Sequence, residues 1–198
     1  MESLQAPDGW ARKTGDGAIG GYLENTSPNR FNNPGTQVIS AKVLINNPGT
    51  YQLVWRNSIR EGTDTTEGND AWLKILSDNF YGYRSSENSV VCPVQQEDSN
   101  RCNGRPPHGS SGEGWFKVYR SGGVPDAWIW STRTSDDGDA HSIYADFDQA
   151  GEYEIQISAR SKFHAIDRFA LFRSRNSSNN VSQSVATDSE QPESATVR

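Results

Sequence analysis

Two stretches of the chain share one design. In "NNPGTYQLVWRNSI", residues 46–59, a Pro48–Gly49 turn leads into Tyr51, Leu53 and Trp55, alternating with Gln52, Val54 and Arg56. In "FDQAGEYEIQISAR", residues 147–160, Gly151 ends a turn, and Tyr153, Ile155 and Ile157 alternate with Glu154, Gln156, Ser158 and Arg160. A period of two with polar alternates predicts strands that bury one face. On this reading Arg56 and Arg160 both begin outside the core. Further strands are predicted at 19–24, 37–46, 70–77, 114–120, 127–133, 142–147 and 166–172. Connectors rich in Gly, Pro and Asp separate them, among them "TSPNRFNNPG", "REGTDTTEGN" and the aromatic "FYGY" segment. No helical stripe is visible, and "DAWLKILSDNF" reads better as a strand than as a helical turn. Many short strands of this kind predict an all-β fold, a two-sheet antiparallel β-sandwich of jelly-roll type.

The pattern stops after Phe172. Residues 174–198 are rich in Ser and Asn and hold no aromatic residue. They are expected to form a disordered tail or an interdomain linker, leaving residues 1–173 as the folded domain. A linker implies that the domain belongs to a longer, multidomain protein.

Composition narrows the classes. A chain of 198 residues supports one good core. Hydrophobic residues are only 33%, but six Trp, seven Tyr and seven Phe supply bulky apolar surface. A net charge of -6 argues against nucleic-acid binding, which calls for a basic stripe. No stretch approaches the roughly 18 apolar residues of a membrane span. The two cysteines, Cys92 and Cys102, sit in a polar segment. A disulfide between them would close a short loop, worth roughly 2–3 kcal/mol, and would point to a secreted or cell-surface location. The alternative is two free thiols. They are too few for a zinc cluster.

Candidate chemistry is diffuse. There is no nucleophile elbow, no P-loop and no dinucleotide fingerprint. The histidines His108, His141 and His164 show no metal spacing. Asp64, Glu67 and Asp70 share one connector, and Asp136, Asp137 and Asp139 another. Turn formation explains such residues, and calcium is the functional rival. Glu2, Glu24 and Asp167 form a third set, able to meet if the first and last strands pair and to hold a structural Ca2+. Trp115, Trp128 and Trp130 lie near turns. A flat ring covers the C–H face of a sugar, while Arg, Asn, Asp and His bond its hydroxyl rim. The candidate ligand residues are therefore Trp115, Trp128, Trp130, Arg56, Arg160, Lys162 and His164, with core packing the alternative for each. Trp72 shares a strand face with Lys74 and could line a groove or lie in a second packed layer.

The segments "GGYLE", "NPGTYQLVWR", "NDAWLKI", "WFKVYRSG" and "DAHSIYADFDQAGEYEIQISARSKFHAIDRFALF" carry a family likeness. Over about residues 2–173 the chain resembles the jelly-roll carbohydrate-binding modules appended to bacterial polysaccharide-degrading enzymes. It is broadly similar to the family 6, family 35 and malectin-like groups. The resemblance implies a non-catalytic module that holds a catalytic domain of the same full-length chain on a polysaccharide. It implies a structural calcium beside the first and last strands, with Glu2 matching an early ligand and Asp167 a late one. It also implies a sugar site at loop tips, with Lys162–His164 matching the polar loop. The chain departs from the group in its long 78–113 insertion and in lacking an Asn-Gly pair before the last strand. The positive charge of Arg160, Lys162 and His164 would suit a uronic or sulfated sugar. Two other functions compete. One is a sandwich-fold polysaccharide lyase using Tyr144, His141 and Arg160. The other is a cell-surface module that binds protein through a flat apolar patch.

Overall fold

A computed structural model describes residues 1, 3–94, 101–105, 107, 112–134, 140–175 and 180–188. In chain order the strands are β1 (Trp10–Thr14), β2 (Gly21–Asn25), β3 (Val38–Ile45), β4 (Gly49–Ile59), β5 (Asp70–Leu76), β6 (Asn79–Arg84) and β7 (Ser89–Val91). They continue as β8 (Phe116–Tyr119), β9 (Ile129–Trp130), β10 (Arg133–Thr134), β11 (Ser142–Phe147), β12 (Gly151–Ser158) and β13 (His164–Arg175). A 3-10 turn, Ser85–Glu87, joins β6 to β7, and a one-turn helix α1 spans Gln183–Ala186. Among the described residues no helix is long and apolar enough to cross a membrane.

The strands form an all-β, two-sheet antiparallel sandwich. The eight-stranded sheet runs β1-β2-β13-β4-β11-β6-β7, with β9 also pairing to β4. The five-stranded sheet runs β10-β8-β5-β12-β3. The two alternating stretches lie in opposite sheets. Leu53 and Trp55 of β4 face inward beside Leu23, Ile143, Ala145, Phe147 and Ile166. From the other sheet Ile155 and Ile157 face them, with Ile39, Ala41, Leu73, Ile75, Phe116 and Val118. Period-two burial thus supplies both halves of one core.

Three strands lie outside the predicted set. β1 has the sequence WARKT, with one buried apolar residue at its start, so it carries no alternation to read. It forms because its backbone pairs along all five residues with β2. β6 contains the "FYGY" segment. Its Gly82 is required by close packing: a Cβ there would lie 2.7 Å from Val91 Cγ2 and 2.9 Å from His141 Cβ. β7 is three residues long and pairs with β6. The predicted strand 127–133 divides. β9 pairs with β4 in one sheet and β10 with β8 in the other. At the crossing, Thr132 Oγ1 accepts the Trp55 backbone N–H at 2.7 Å.

β13 continues past the expected domain end to Arg175. Residues 180–188 then lie back along this strand, since the Val181 N–H donates to the Arg173 carbonyl at 2.8 Å. The Ser182 hydroxyl caps α1 by accepting the Val185 N–H at 3.3 Å. Cys92 and Cys102 form a disulfide, and both are fully buried.

Candidate functional site

The outer face of the eight-stranded sheet carries the candidate site, at its β1–β2 end. Register decides which side chains share that face. Lys13 stands opposite Tyr22 across β1 and β2, and Glu24 stands opposite Ala165 of β13. Ala165 in turn faces Ser58 of β4. Intervening residues such as Leu23 and Ile166 point into the core. Lys13, Tyr22 and Glu24 therefore share the outer side of the sheet, where Lys13 is exposed, Glu24 is buried beneath its ion pair with Lys13, and Tyr22, only 1% exposed, is covered by Trp128 and Arg60. Continuing the same parity along β4 reaches Arg56, Ser58 and then Arg60 in the following turn.

Lys13, Tyr22, Glu24 and Arg60, but not Arg56 or Ser58, line a cleft of about 490 Å³. Lys13, Tyr22 and Glu24 come from the sheet, Asp16 from the β1–β2 turn, Arg60 and Glu61 from the turn after β4, and Lys162 and Phe163 from the turn before β13. Tyr22 meets Trp128 edge to face, with ring centroids 5.2 Å apart. Asp16 ties both rings in place. Its Oδ2 accepts the Tyr22 hydroxyl at 3.0 Å, and its carbonyl oxygen accepts the Trp128 indole N–H at 2.8 Å. The Arg60 guanidinium stands 5.7 Å from the Tyr22 ring centre and 5.6 Å from that of Trp128. It also pairs with Asp16 at 3.1 Å and with Asp126 at 3.3 Å. Burial raises the Tyr22 phenol above its ordinary pKa, and the bond to Asp16 adds to this while Arg60 opposes it.

The turns around Arg60 adopt conformations that few side chains accept. Asp16, Asp126 and Phe163 have φ of 55, 63 and 69°. Asp tolerates this region, but a bulky Phe rarely enters it. Phe163 is held there from both sides. Its N–H donates to the Asn25 carbonyl at 2.8 Å, and its carbonyl accepts the Arg60 N–H at 3.0 Å. Backbone strain of this kind persists where surrounding bonds over-determine it.

The predicted ligand residues divide into two groups. Trp128, Trp130, Arg56 and Lys162 are on or beside the outer face. Lys162 lines the cleft. Arg56 stands 5.4 Å from the Trp128 ring, pairs with Asp167, and donates to the Gly17 carbonyl at 3.1 Å. Trp130 faces Arg56 across β9 and β4 and lines a second cleft of about 220 Å³ with Val54, Thr132 and Gln183. Trp115, Arg160 and His164 are packed instead. Trp115 is 5% exposed, with Gly35 against its indole. Arg160 is ion-paired to Asp70 and stacked between the Phe31 and Trp72 rings, so alternation past Ser158 does not carry it outward. Trp72 belongs to that packed layer, its indole N–H donating to the Arg30 carbonyl at 3.0 Å. His164 is fully buried beside Trp55, with Asn57 Oδ1 3.4 Å from its Nε2. Burial lowers its pKa to about 4, Asp70 opposing and Arg120 adding to the effect, so it is neutral at pH 7. Tyr22 and Arg60 were not among the sequence candidates. Their signal was parity: Tyr22 is two residues from Glu24, and Arg60 four from Arg56.

Glu24 pairs with Lys13 at 2.8 Å, and Asp167 pairs with Arg56. The Asp167 Oδ1 atom is buried with no hydrogen-bond partner among the described residues. Among the described residues no group of three or more His, Cys, Asp and Glu is placed to hold a metal. Glu2, His108 and the Asp136, Asp137, Asp139 cluster lie outside the described residues. Comparison with family models, with curated proteins and with solved structures finds no match to this chain.

Proposed function

We propose that this domain binds a polysaccharide without turning it over, through the cleft between Tyr22, Arg60 and Phe163. The reading is supported by one arrangement above all: a fixed wall in which Trp128 and Arg60 pack over the buried Tyr22 ring and all three are locked together through Asp16. Rings beside clamped donors and acceptors are what a sugar needs from a binder, and the cleft exists without rearrangement. In this reading the domain anchors a polysaccharide-degrading enzyme of the same chain outside the cell. The sequence likeness to carbohydrate-binding modules points the same way. Affinity is modest, since an open cleft contacts few sugar units and its polar groups give up water.

Affinity electrophoresis and calorimetry across neutral, uronic and sulfated polysaccharides test the proposal. Binding to at least one, weakened several-fold in the folded Phe163→Asn variant, is the expected result. Silence across the panel sinks it, and release of unsaturated sugar products by the purified domain would replace it with a lyase. Running the same titration with calcium and with a chelator separates binding by the cleft from binding that needs an ion.

A further inference from the structure

We propose that the sugar received by this cleft carries no charge. The inference rests on reading the cleft as the glycan site and names the class of glycan it takes. An anionic sugar needs a cation that no protein carboxylate already holds. The cleft is lined by three cations and three carboxylates, and most of them are spent on each other. Lys13 is bonded to Glu24 at 2.8 Å. Arg60 spans Asp16 and Asp126, at 3.1 and 3.3 Å. Among the described residues this leaves Lys162 and Glu61 without an ion pair, one of each sign, on turns that flank the same cleft. A uronate or sulfate arriving here would meet Asp16, Glu24 and Glu61 as well as the cations.

The other positive groups of the 159–172 stretch give no help. Arg160 is paired with Asp70 and packed against Trp72 and Phe31 on the other sheet. His164 is wholly buried beside Trp55 and Asn57. The basic cluster that the sequence offers to an acidic glycan is thus reduced to Lys162.

The same balance suits a neutral sugar. A hydroxyl both donates and accepts, so it is best met by donors and acceptors side by side. Lys13 beside Glu24 and Arg60 beside Asp16 are such pairs. Each is held in place by its partner and still offers charge-assisted hydrogen bonds at no net charge.

The test compares chemically matched polymers: neutral polysaccharides and the same backbones after oxidation of their primary alcohols to carboxylates. Both forms are run in affinity gels at about 20 mM and about 0.5 M salt, a range over which exposed charges pass from weakly to strongly screened. The expected result is that a neutral form binds roughly tenfold or more tighter than its oxidised counterpart and that salt leaves this binding unchanged. A Glu61→Gln variant, which leaves Lys162 unopposed, gains affinity for the oxidised form. Tighter binding of an oxidised or sulfated polymer, lost at high salt, overturns the inference while upholding the glycan site. Binding of neither form across the series overturns the glycan site itself, and the inference with it.

Discussion

Asp70 and Arg160 form a buried ion pair on the outer side of the five-stranded sheet, at 3% and 9% exposure, packed against Trp72 and Phe31 with Lys117 3.8 Å from the same carboxylate. Asp70 also accepts the Ser161 hydroxyl, and its carbonyl takes the Ser161 N–H at 3.2 Å. The pair joins the start of β5 to the turn before β13, the turn that also supplies Lys162 and Phe163 to the cleft. Removing one member of such a pair strands the other charge without water. Asp70→Ala is therefore expected to cost about 3–5 kcal/mol of stability, read by urea unfolding. A cost below about 1 kcal/mol would mean that the pair is solvated and that Arg160 is free to meet a ligand.

Phe163 separates binding from stability. Its left-handed backbone is a cost, and its ring lines the cleft. Asn accepts that backbone conformation readily. The Phe163→Asn protein should keep its melting temperature within a few degrees yet bind glycan several-fold more weakly. Unchanged affinity would remove the ring from the site.

His164 predicts a pH dependence with a definite sign. Its folded pKa of about 4 lies below its ordinary value of 6.5. The unfolded chain therefore binds the proton first, and stability present above pH 6.5 is lost as pH falls toward 4. The loss reaches about 3 kcal/mol. Burial raises the pKa of Asp167, which acts with the opposite sign as its carboxylate takes up a proton. Comparing the parent with His164→Gln by unfolding at stepped pH isolates the histidine. The parent curve should fall more steeply over that window, and parallel curves would contradict the assignment.

The disulfide should matter to stability and not to binding. Cys92 and Cys102 are 10 residues apart. Next to them, Arg101 pairs with Asp146 at 3.1 Å and stands 5.2 Å from the Tyr81 ring centre. This ties the loop to the β6–β7 end of the sheet, opposite the cleft. Reduction is expected to cost about 2–3 kcal/mol, or roughly 5–10 °C in melting temperature, with glycan affinity intact. Affinity that falls in parallel with reduction would place the site near this loop.

The two-layer fold was legible because Tyr51–Trp55 and Tyr153–Ile157 bury alternate residues against each other. β1 was not, because WARKT owes its strand to pairing with β2 rather than to any pattern of its own. The proposed cleft was partly legible. Of the residues the sequence singled out, Lys162 lines the cleft, while Trp128 and Arg56 pack against each other beside it. Arg160 and His164 belong to the same composition but are buried, because the chain turns inward after Ser158 and pairs them with groups on other strands. Sequence shows that a charge is present. It does not show that Asp70, some 90 positions earlier, already neutralises it. The same long-range pairing hides the balance of the cleft, where Arg60 is neutralised by Asp16 and Asp126.

Backbone amide chemical shifts followed while a bound oligosaccharide is titrated in test the central claim most directly. The account predicts shifts confined to Lys13, Tyr22, Glu24, Arg60, Lys162 and Phe163, together with the Trp128 indole N–H. Shifts gathered instead around Trp115, just before β8 of the five-stranded sheet, would show that the sugar sits elsewhere and that this cleft is not its site.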